Sequence, residues 1–184
     1  MKSLVEKSRG ENIMKTKELV FLALLLGIGA VLHTVIPPIF LNVKPDMLLT
    51  MMFLGIILFP KIKNVFLLGA VAGIISALTT GFPGGQIPNI IDKLATAFIF
   101  YGLFLIVKKM YFSIVSIAVL TAIGTLISGV IFLGSALIIS GLPGPFLALV
   151  SAVVLPAALL NTIAIIIIYP IVTGILKRSS LQLQ

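Results

Sequence analysis

This sequence predicts an all-α integral membrane protein with six transmembrane helices and with its N- and C-termini in the cytoplasm. The first observation is composition: 60% of the 184 residues are hydrophobic, 10% are charged, and the mean hydropathy is +1.28. A soluble domain is about half apolar and about a quarter charged. Because a chain of this length has too little interior to bury so many apolar side chains, its surroundings must include lipid.

The second observation is that the apolar residues fall into six runs, at 19–36, 47–59, 65–80, 90–107, 113–139 and 146–176. Pro38, Pro45 and Pro60 bound these runs, since proline lacks an N–H and the residue before it avoids helical angles. The ten-residue alternation of membrane strands is absent from the sequence, which leaves helices. Merging the second and third runs would place Lys61 and Lys63 at membrane depth, at about 2.5–3.5 kcal/mol each. Six spans are therefore expected.

The third observation is the distribution of basic residues. With the N-terminus in the cytoplasm, only Lys44 and Lys93 of the 13 lysines and arginines fall in outer segments. Cytoplasmic loops carry such an excess of basic residues, and the opposite orientation would invert it. We expect a single six-helix domain over 14–179, a disordered tail over 1–13 and a C-terminal tail over 180–184.

Polar side chains of varied chemistry gather at the predicted outer ends of the spans. These residues are His33, Asn42, Lys44, Asp46, Gln86, Asn89, Asp92 and Lys93. Two cations and two anions among them suit a zwitterion, with a lysine for its carboxylate and an aspartate for its ammonium. The alternative is that the four charges cancel as exposed pairs worth less than about 1 kcal/mol. Both interpretations stay open at this point.

Two single residues allow a structural and a functional interpretation. Asn161 lies well inside the sixth run, where an amide must face protein or a cavity rather than lipid, so it either joins two helices or contacts a ligand. His33 lies near the outer end of the first run, and a lone histidine there is either structural or part of a site.

Several function classes find no support in the sequence. It contains no cysteine and one histidine, and its carboxylates lack metal-ligand spacing, so no metal or cofactor is expected. Paired acids for glycoside cleavage, Ser-His-Asp arrangements and phosphate-binding glycine loops are missing, which argues against an enzyme. The net charge of +8 reflects topology rather than nucleic-acid binding.

Small residues recur at helical spacing on the first span, beginning with Ala23 and Gly27 and continuing with Ala30 and Thr34. Such stripes allow helices to approach closely in lipid. The stripe either packs internally or docks another membrane subunit through Ala23 and Gly27. No nucleotide-binding motif is present, so an ATP-driven process would need an ATPase on another chain.

With these features, the sequence resembles the substrate-capture (S) components of energy-coupling factor (ECF) transporters, and most closely the bacterial tryptophan transport proteins of that class. The stretches that carry the resemblance are 14–20, 36–38, 44–47, 85–93, 154–158, 160–163 and 168–171. The polar stretch 86–93 is the most specific of them. The family usually has two alanines, four residues apart, in the first helix. Ala23 and Gly27 correspond to this pair, with glycine in place of the second alanine.

The resemblance implies a multi-pass protein of the bacterial plasma membrane. It implies that the protein binds tryptophan from outside and passes it inward together with a transmembrane T component and two ATPase subunits. Alternatives are an S component for another small hydrophobic zwitterion or a vitamin, and a small self-sufficient secondary transporter.

An indole ring needs an apolar, preferably aromatic slot and an acceptor for its N–H. Phe82 and Phe146 are the candidates for the slot, and Gln86 or Asn89 for the acceptor.

The charged candidates are Lys44 or Lys93 for the carboxylate and Asp46 or Asp92 for the ammonium, with His33 and Asn161 as further candidates. Because neighbours on a helix point about 100° apart, Asp92 and Lys93 need not both line one cavity.

Overall fold

A computed structural model describes residues 16–39, 43–110 and 112–178. The predicted tails and Asn42 lie outside these residues. All elements in the described ranges are helices: α1 (Thr16–Val35), α2 (Met47–Leu58), α3 (Ile62–Thr79), α4 (Gln86–Met110), α5 (Ile114–Ile139) and α6 (Phe146–Arg178). The predicted all-α class is confirmed for this part of the chain. Five of the helices are long and apolar enough to cross a membrane, and α2 is shorter.

Helix α2 forms the centre of the bundle rather than an ordinary span. All 12 of its residues are buried, and at about 1.5 Å per residue it is roughly 18 Å long, against about 30 Å of hydrocarbon. Its lack of a polar face agrees with burial on every side. Phe53 of α2 stacks on Phe100 of α4 with 3.9 Å between ring centroids, and Gly124 of α5 packs against both rings.

The outer surface of the bundle is apolar, as lipid requires. Leu78, Ile138 and Leu147 are 81%, 85% and 78% exposed. A bilayer accepts such side chains without the cost that water would impose.

Helices α3 and α4 run antiparallel in close contact. A Cβ atom on Gly69 would lie 3.2 Å from the Lys93 carbonyl oxygen, and one on Gly73 would lie 3.1 Å from Ile90 Cα. Small residues at helix interfaces permit this approach. The contact fixes the height of the polar start of α4 relative to the end of α3.

Helices α4 and α6 each have a local feature next to a proline. Helix α4 begins at Gln86 rather than near residue 90, because Pro88 lies in the first turn, where a missing N–H has no intrahelical partner to lose. Helix α6 contains a π-helical turn, Val150–Val154, which ends two residues before Pro156. π turns inside α-helices occur often at functional sites.

Candidate functional site

A cavity of about 330 Å³ lies at the end of the bundle where α1 ends and α4 begins. Its wall is built from the last turns of α1 and α3, the starts of α2 and α4, the middle of α5 and the π turn of α6. This volume is in the range of small-molecule sites. The cavity has a charged side and an apolar side.

An ion cluster of Asp46, Lys93 and Asp92 forms the charged side. The Lys93 ammonium donates to Asp46 Oδ2 and to Asp92 Oδ2, both at 2.8 Å. Asp92 and Lys93 are 1% and 3% exposed. Buried charges persist only when they are paired and hydrogen-bonded, and here one ammonium is shared by two carboxylates. With both carboxyl groups ionised, the cluster carries one excess negative charge.

Helix α4 supplies both members of the buried pair, although neighbouring residues on a helix point in different directions. The lysine side chain is long enough to return its ammonium to the carboxylate of the preceding residue. Thr96 Oγ1 donates to Asp92 Oδ1 at 2.9 Å, and Ser128 Oγ of α5 donates to Asp92 Oδ2 at 2.9 Å. Asp92 and Lys93 thus line the same cavity.

Asp46 is the N-cap of α2. Its Oδ1 accepts from the Leu49 backbone N–H at 3.0 Å, which satisfies one of the free donors of a helix start. Burial by itself raises the pKa of Asp46, but the Lys93 ammonium, His33 and the Leu49 N–H outweigh it and hold the pKa at about 2. These partners favour the ionised form of the Asp46 carboxyl.

Asn161 holds Asp46 in place from α6. Its Oδ1 accepts from the Asp46 backbone N–H at 2.8 Å, and its Nδ2 donates to Thr125 Oγ1 at 3.3 Å. The residue is fully buried and is not part of the cavity wall. These hydrogen bonds join α6 to the start of α2 and to α5.

Lys44 and His33 line the same side of the cavity. Lys44 Nζ donates to the His33 carbonyl oxygen at 2.7 Å, and His33 Nδ1 lies 3.5 Å from Asp46 Oδ1. An ammonium has three donors, and no second hydrogen bond from Lys44 occurs within the described residues. Lys44 is only partly buried.

The apolar side carries an aromatic pair. Phe82 and Phe132 meet edge to face, with 5.2 Å between ring centroids and an angle of 83°. Apolar residues of α2, α5 and the first part of α6 complete this side; they are Leu49, Leu133, Leu149, Val153 and Val154. Such a wall accepts a flat apolar group.

Most predicted site residues share this cavity. His33, Lys44, Asp46, Phe82, Asn89, Asp92 and Lys93 line it. Gln86 and Phe146 do not: Gln86 is exposed at the first position of α4, and Phe146 is half-buried at the start of α6. Asn89 donates its amide to the Gly85 carbonyl at 2.8 Å.

Sequence reasoning missed the hydroxyl residues of the site. Ser76, Thr79, Thr80, Thr125 and Ser128 line the cavity. Serines and threonines occur throughout the apolar runs, and only the fold separates those that face the cavity from those that bond their own helix. Among residues 16–39, 43–110 and 112–178, no three His, Cys, Asp or Glu side chains are grouped to hold a metal.

Similar sequences among known proteins cover nearly the whole chain. The family model described as "Tryptophan transporter TrpP" matches residues 15–177. A "Probable tryptophan transport protein" of Bacillus subtilis (strain 168) is 63% identical over 167 residues, which cover 91% of this chain and 96% of the relative. Its namesake in Clostridium perfringens (strain 13 / Type A) is 41% identical over 175 residues, covering 90% and 96%. No solved structure matches.

Proposed function

Because this chain belongs to the tryptophan transporter family TrpP, we propose that it captures tryptophan in the cavity as the substrate-binding subunit of an ATP-driven importer. The chain is a multi-pass bacterial membrane protein. The observation that carries the proposal is one cavity with buried opposite charges on one side and an aromatic wall on the other.

The charges of the cavity match a zwitterion. Asp46 and Asp92 share the single ammonium of Lys93, so a second ammonium from a ligand neutralises the excess negative charge. The Lys44 ammonium, which lines the same cavity, then meets the ligand carboxylate. Charge-assisted hydrogen bonds of this kind are about twice as strong as neutral ones.

The proposed orientation places the cavity at the outer face of the plasma membrane. Basic residues at the opposite end of the bundle from the cavity, such as Lys61, Lys108 and Arg178, then lie on the cytoplasmic side together with both termini. Near the start of α1, Glu18 pairs with Lys61 at 2.8 Å. A cysteine accessibility map with a membrane-impermeant thiol reagent tests this orientation, since the natural chain has no cysteine.

Equilibrium binding to the purified chain in lipid nanodiscs tests the substrate. We expect saturable binding of L-tryptophan, and weaker binding of phenylalanine, tyrosine and vitamins. A folded chain that fails to bind tryptophan contradicts the proposal. Tighter binding of a vitamin keeps the transporter class and replaces its substrate.

Lys44→Met is expected to weaken tryptophan binding about tenfold, because a partly exposed charged donor to the carboxylate is lost. Binding of tryptamine, which lacks the carboxylate, is expected to stay within about twofold. Calorimetric titration with both ligands measures the two effects.

Lys109→Met is the matched control, since Lys109 lies in the last turn of α4, far along the helix from the cavity. It should leave both affinities unchanged. If Lys44→Met weakens both ligands alike, the lysine instead anchors its loop through the His33 carbonyl.

Coupling to a T component and two ATPase subunits is the second part of the proposal. Ala23 and Gly27 lie on an exposed face of α1, and a Cβ atom on Gly27 would meet nothing within 4 Å. By contrast, Gly69 and Gly73 of α3 are used inside the bundle. A small, outward-facing stripe suits the close approach of a helix from another subunit.

Gly27→Leu is expected to reduce ATP-dependent tryptophan uptake at least about tenfold while leaving tryptophan binding unchanged, because a bulky side chain prevents close helix contact. Uptake in cells that express the whole transporter, and binding to the purified chain, are the two measurements. Gly102→Leu is the control, since Gly102 of α4 is equally open. Equal loss of uptake in both variants counts against a docking role for α1.

Proteoliposomes that contain only this chain separate the importer subunit from a self-sufficient transporter. We expect no accumulation of tryptophan when a proton or sodium gradient is imposed. Accumulation under either gradient favours the secondary transporter.

A further inference from the structure

One hydroxyl group of the cavity differs from the others. Ser76 of α3 is 4% exposed, lines the cavity, and its Oγ has no hydrogen-bond partner within the described residues. A buried hydroxyl left without a partner costs free energy. A ligand that forms a hydrogen bond with this hydroxyl removes that cost, which favours its binding.

The remaining cavity hydroxyls are already engaged. Thr79 and Thr125 donate to the carbonyls of Ile75 and Thr121 on their own helices, at 2.8 and 2.9 Å. Ser128 donates to Asp92, and Thr80 accepts from the Phe82 N–H at 3.2 Å. A helical serine commonly turns back to the carbonyl four residues earlier, and Ser76 does not.

The position of Ser76 separates it from the charged groups. Gly73 packs against Ile90, and Ser76 lies three residues beyond Gly73, toward the α3–α4 turn. Asp92 lies two residues beyond Ile90 in the opposite direction. At about 1.5 Å per residue, roughly 8 Å of the bundle axis separates their backbone positions. This spacing suits a ligand with its charges at one end and one polar atom on a ring at the other.

We propose that Ser76 accepts the ring N–H of the bound indole and so determines the preference of the site for an indole over rings of the same shape that lack this donor. The inference rests on the proposed capture of tryptophan. The charged side of the cavity matches the ligand ammonium and carboxylate. Phe82 and Phe132 match the carbon atoms of the ring. The ring N–H is then the one donor of the ligand that still needs an acceptor. Ser76 thus acts as a specificity residue.

The test compares L-tryptophan with 3-(benzothiophen-3-yl)alanine, in which sulfur replaces the ring N–H. The full chain in nanodiscs is expected to prefer tryptophan at least about tenfold, because the analogue leaves the hydroxyl unpaired. Ser76→Ala should weaken tryptophan binding about three- to tenfold and bring the two ligands to within about twofold of each other.

Thr121→Val is the matched control. Thr121 Oγ1 resembles Ser76 Oγ in being buried with no hydrogen-bond partner in the part of the chain that the structure describes, but Thr121 is not part of the cavity wall. The variant should keep the wild-type preference. A preference that survives Ser76→Ala, or that Thr121→Val also removes, overturns the inference.

The wild-type chain provides a readout that does not depend on the folding of a variant. A preference for tryptophan below about twofold overturns the role of Ser76 while leaving the proposed function intact. Failure of the wild type to bind either ligand instead overturns the proposed function and, with it, this inference. Ser76→Cys, which retains a weak acceptor, should fall between wild type and Ser76→Ala.

Discussion

Asp92→Asn is expected to weaken tryptophan binding at least about 100-fold, which corresponds to about 2.7 kcal/mol. The substitution removes the deepest negative charge of the cavity and with it a charge-assisted hydrogen bond to the ligand ammonium, worth about 1.5–3 kcal/mol. It also leaves the Lys93 ammonium, which is buried in the same site, with Asp46 as its remaining charged partner. Removing one partner of a buried ion pair costs about 3–5 kcal/mol of stability.

A second ligand distinguishes the effect of Asp92→Asn on ligand binding from its effect on the stability of the fold. Indole-3-propionate lacks the ammonium, so the wild type should bind it far more weakly than tryptophan, and Asp92→Asn should change its affinity less than about tenfold. Titrations of both ligands, with thermal unfolding of each variant in the same nanodiscs, provide the measurement. A folded Asp92→Asn chain that binds tryptophan within about threefold of wild type contradicts the assignment.

Asp46→Asn is the matched control for the charge. Asparagine caps helices about as well as aspartate, so the hydrogen bond to the Leu49 N–H is retained while one charge is lost. The Asp46 side chain is 24% exposed, against 1% for Asp92. Because exposed charges are screened by water, we expect a loss of binding near tenfold, clearly below that of Asp92→Asn.

The sequence allowed the class of protein and the charged residues of the cavity to be predicted. Lipid imposes a composition that no soluble fold shares, and prolines at span ends are local signals. The stretch that begins α4 combines an amide, a carboxylate and an ammonium within five residues, 89–93. Such a cluster beside an apolar run stands out because polar groups in lipid are costly.

The remaining features depend on contacts between distant parts of the chain. Ser128 reaches Asp92 across 36 residues, and Asn161 reaches Asp46 across 115. Helical periodicity does not report which helix lies opposite, so the hydroxyl residues could not be assigned to the site. The central position of α2 was missed for a related reason: a short apolar run is equally typical of a span and of a buried core helix.

The π turn of α6 could not be predicted from the sequence either. Its contact with α5 indicates what holds this part of the cavity wall in place. Val154 ends this turn and packs on Gly129 of α5, and both residues line the cavity. A Cβ atom at position 129 would lie 2.3, 2.7 and 3.0 Å from Val154 Cγ1, Cγ2 and Cβ. Rotation about the Val154 side-chain bond does not remove a contact with Cβ, so the turn itself would have to shift.

Gly129→Ala is therefore expected to destabilise the fold by about 1–3 kcal/mol, the usual cost of an overpacked contact. It should also weaken tryptophan binding about tenfold, because the π turn is displaced at the wall of the cavity. Thermal unfolding and calorimetric titration measure these two effects. Gly134→Ala is the control: it makes the same change on the same helix, where a Cβ atom meets nothing within 4 Å, and it should alter stability by less than about 0.5 kcal/mol.

A double variant decides whether the contact itself is responsible. Val154→Ala removes both Cγ atoms and, alone, costs stability by leaving a cavity. Combined with Gly129→Ala, the added methyl group fills part of that space, so the double variant should be more stable than the sum of the single effects by about 1 kcal/mol or more. Recovery of tryptophan affinity in the same variant would tie the wall of the cavity to this contact. Additive losses would instead mean that the π turn is held by its own helix and not by α5.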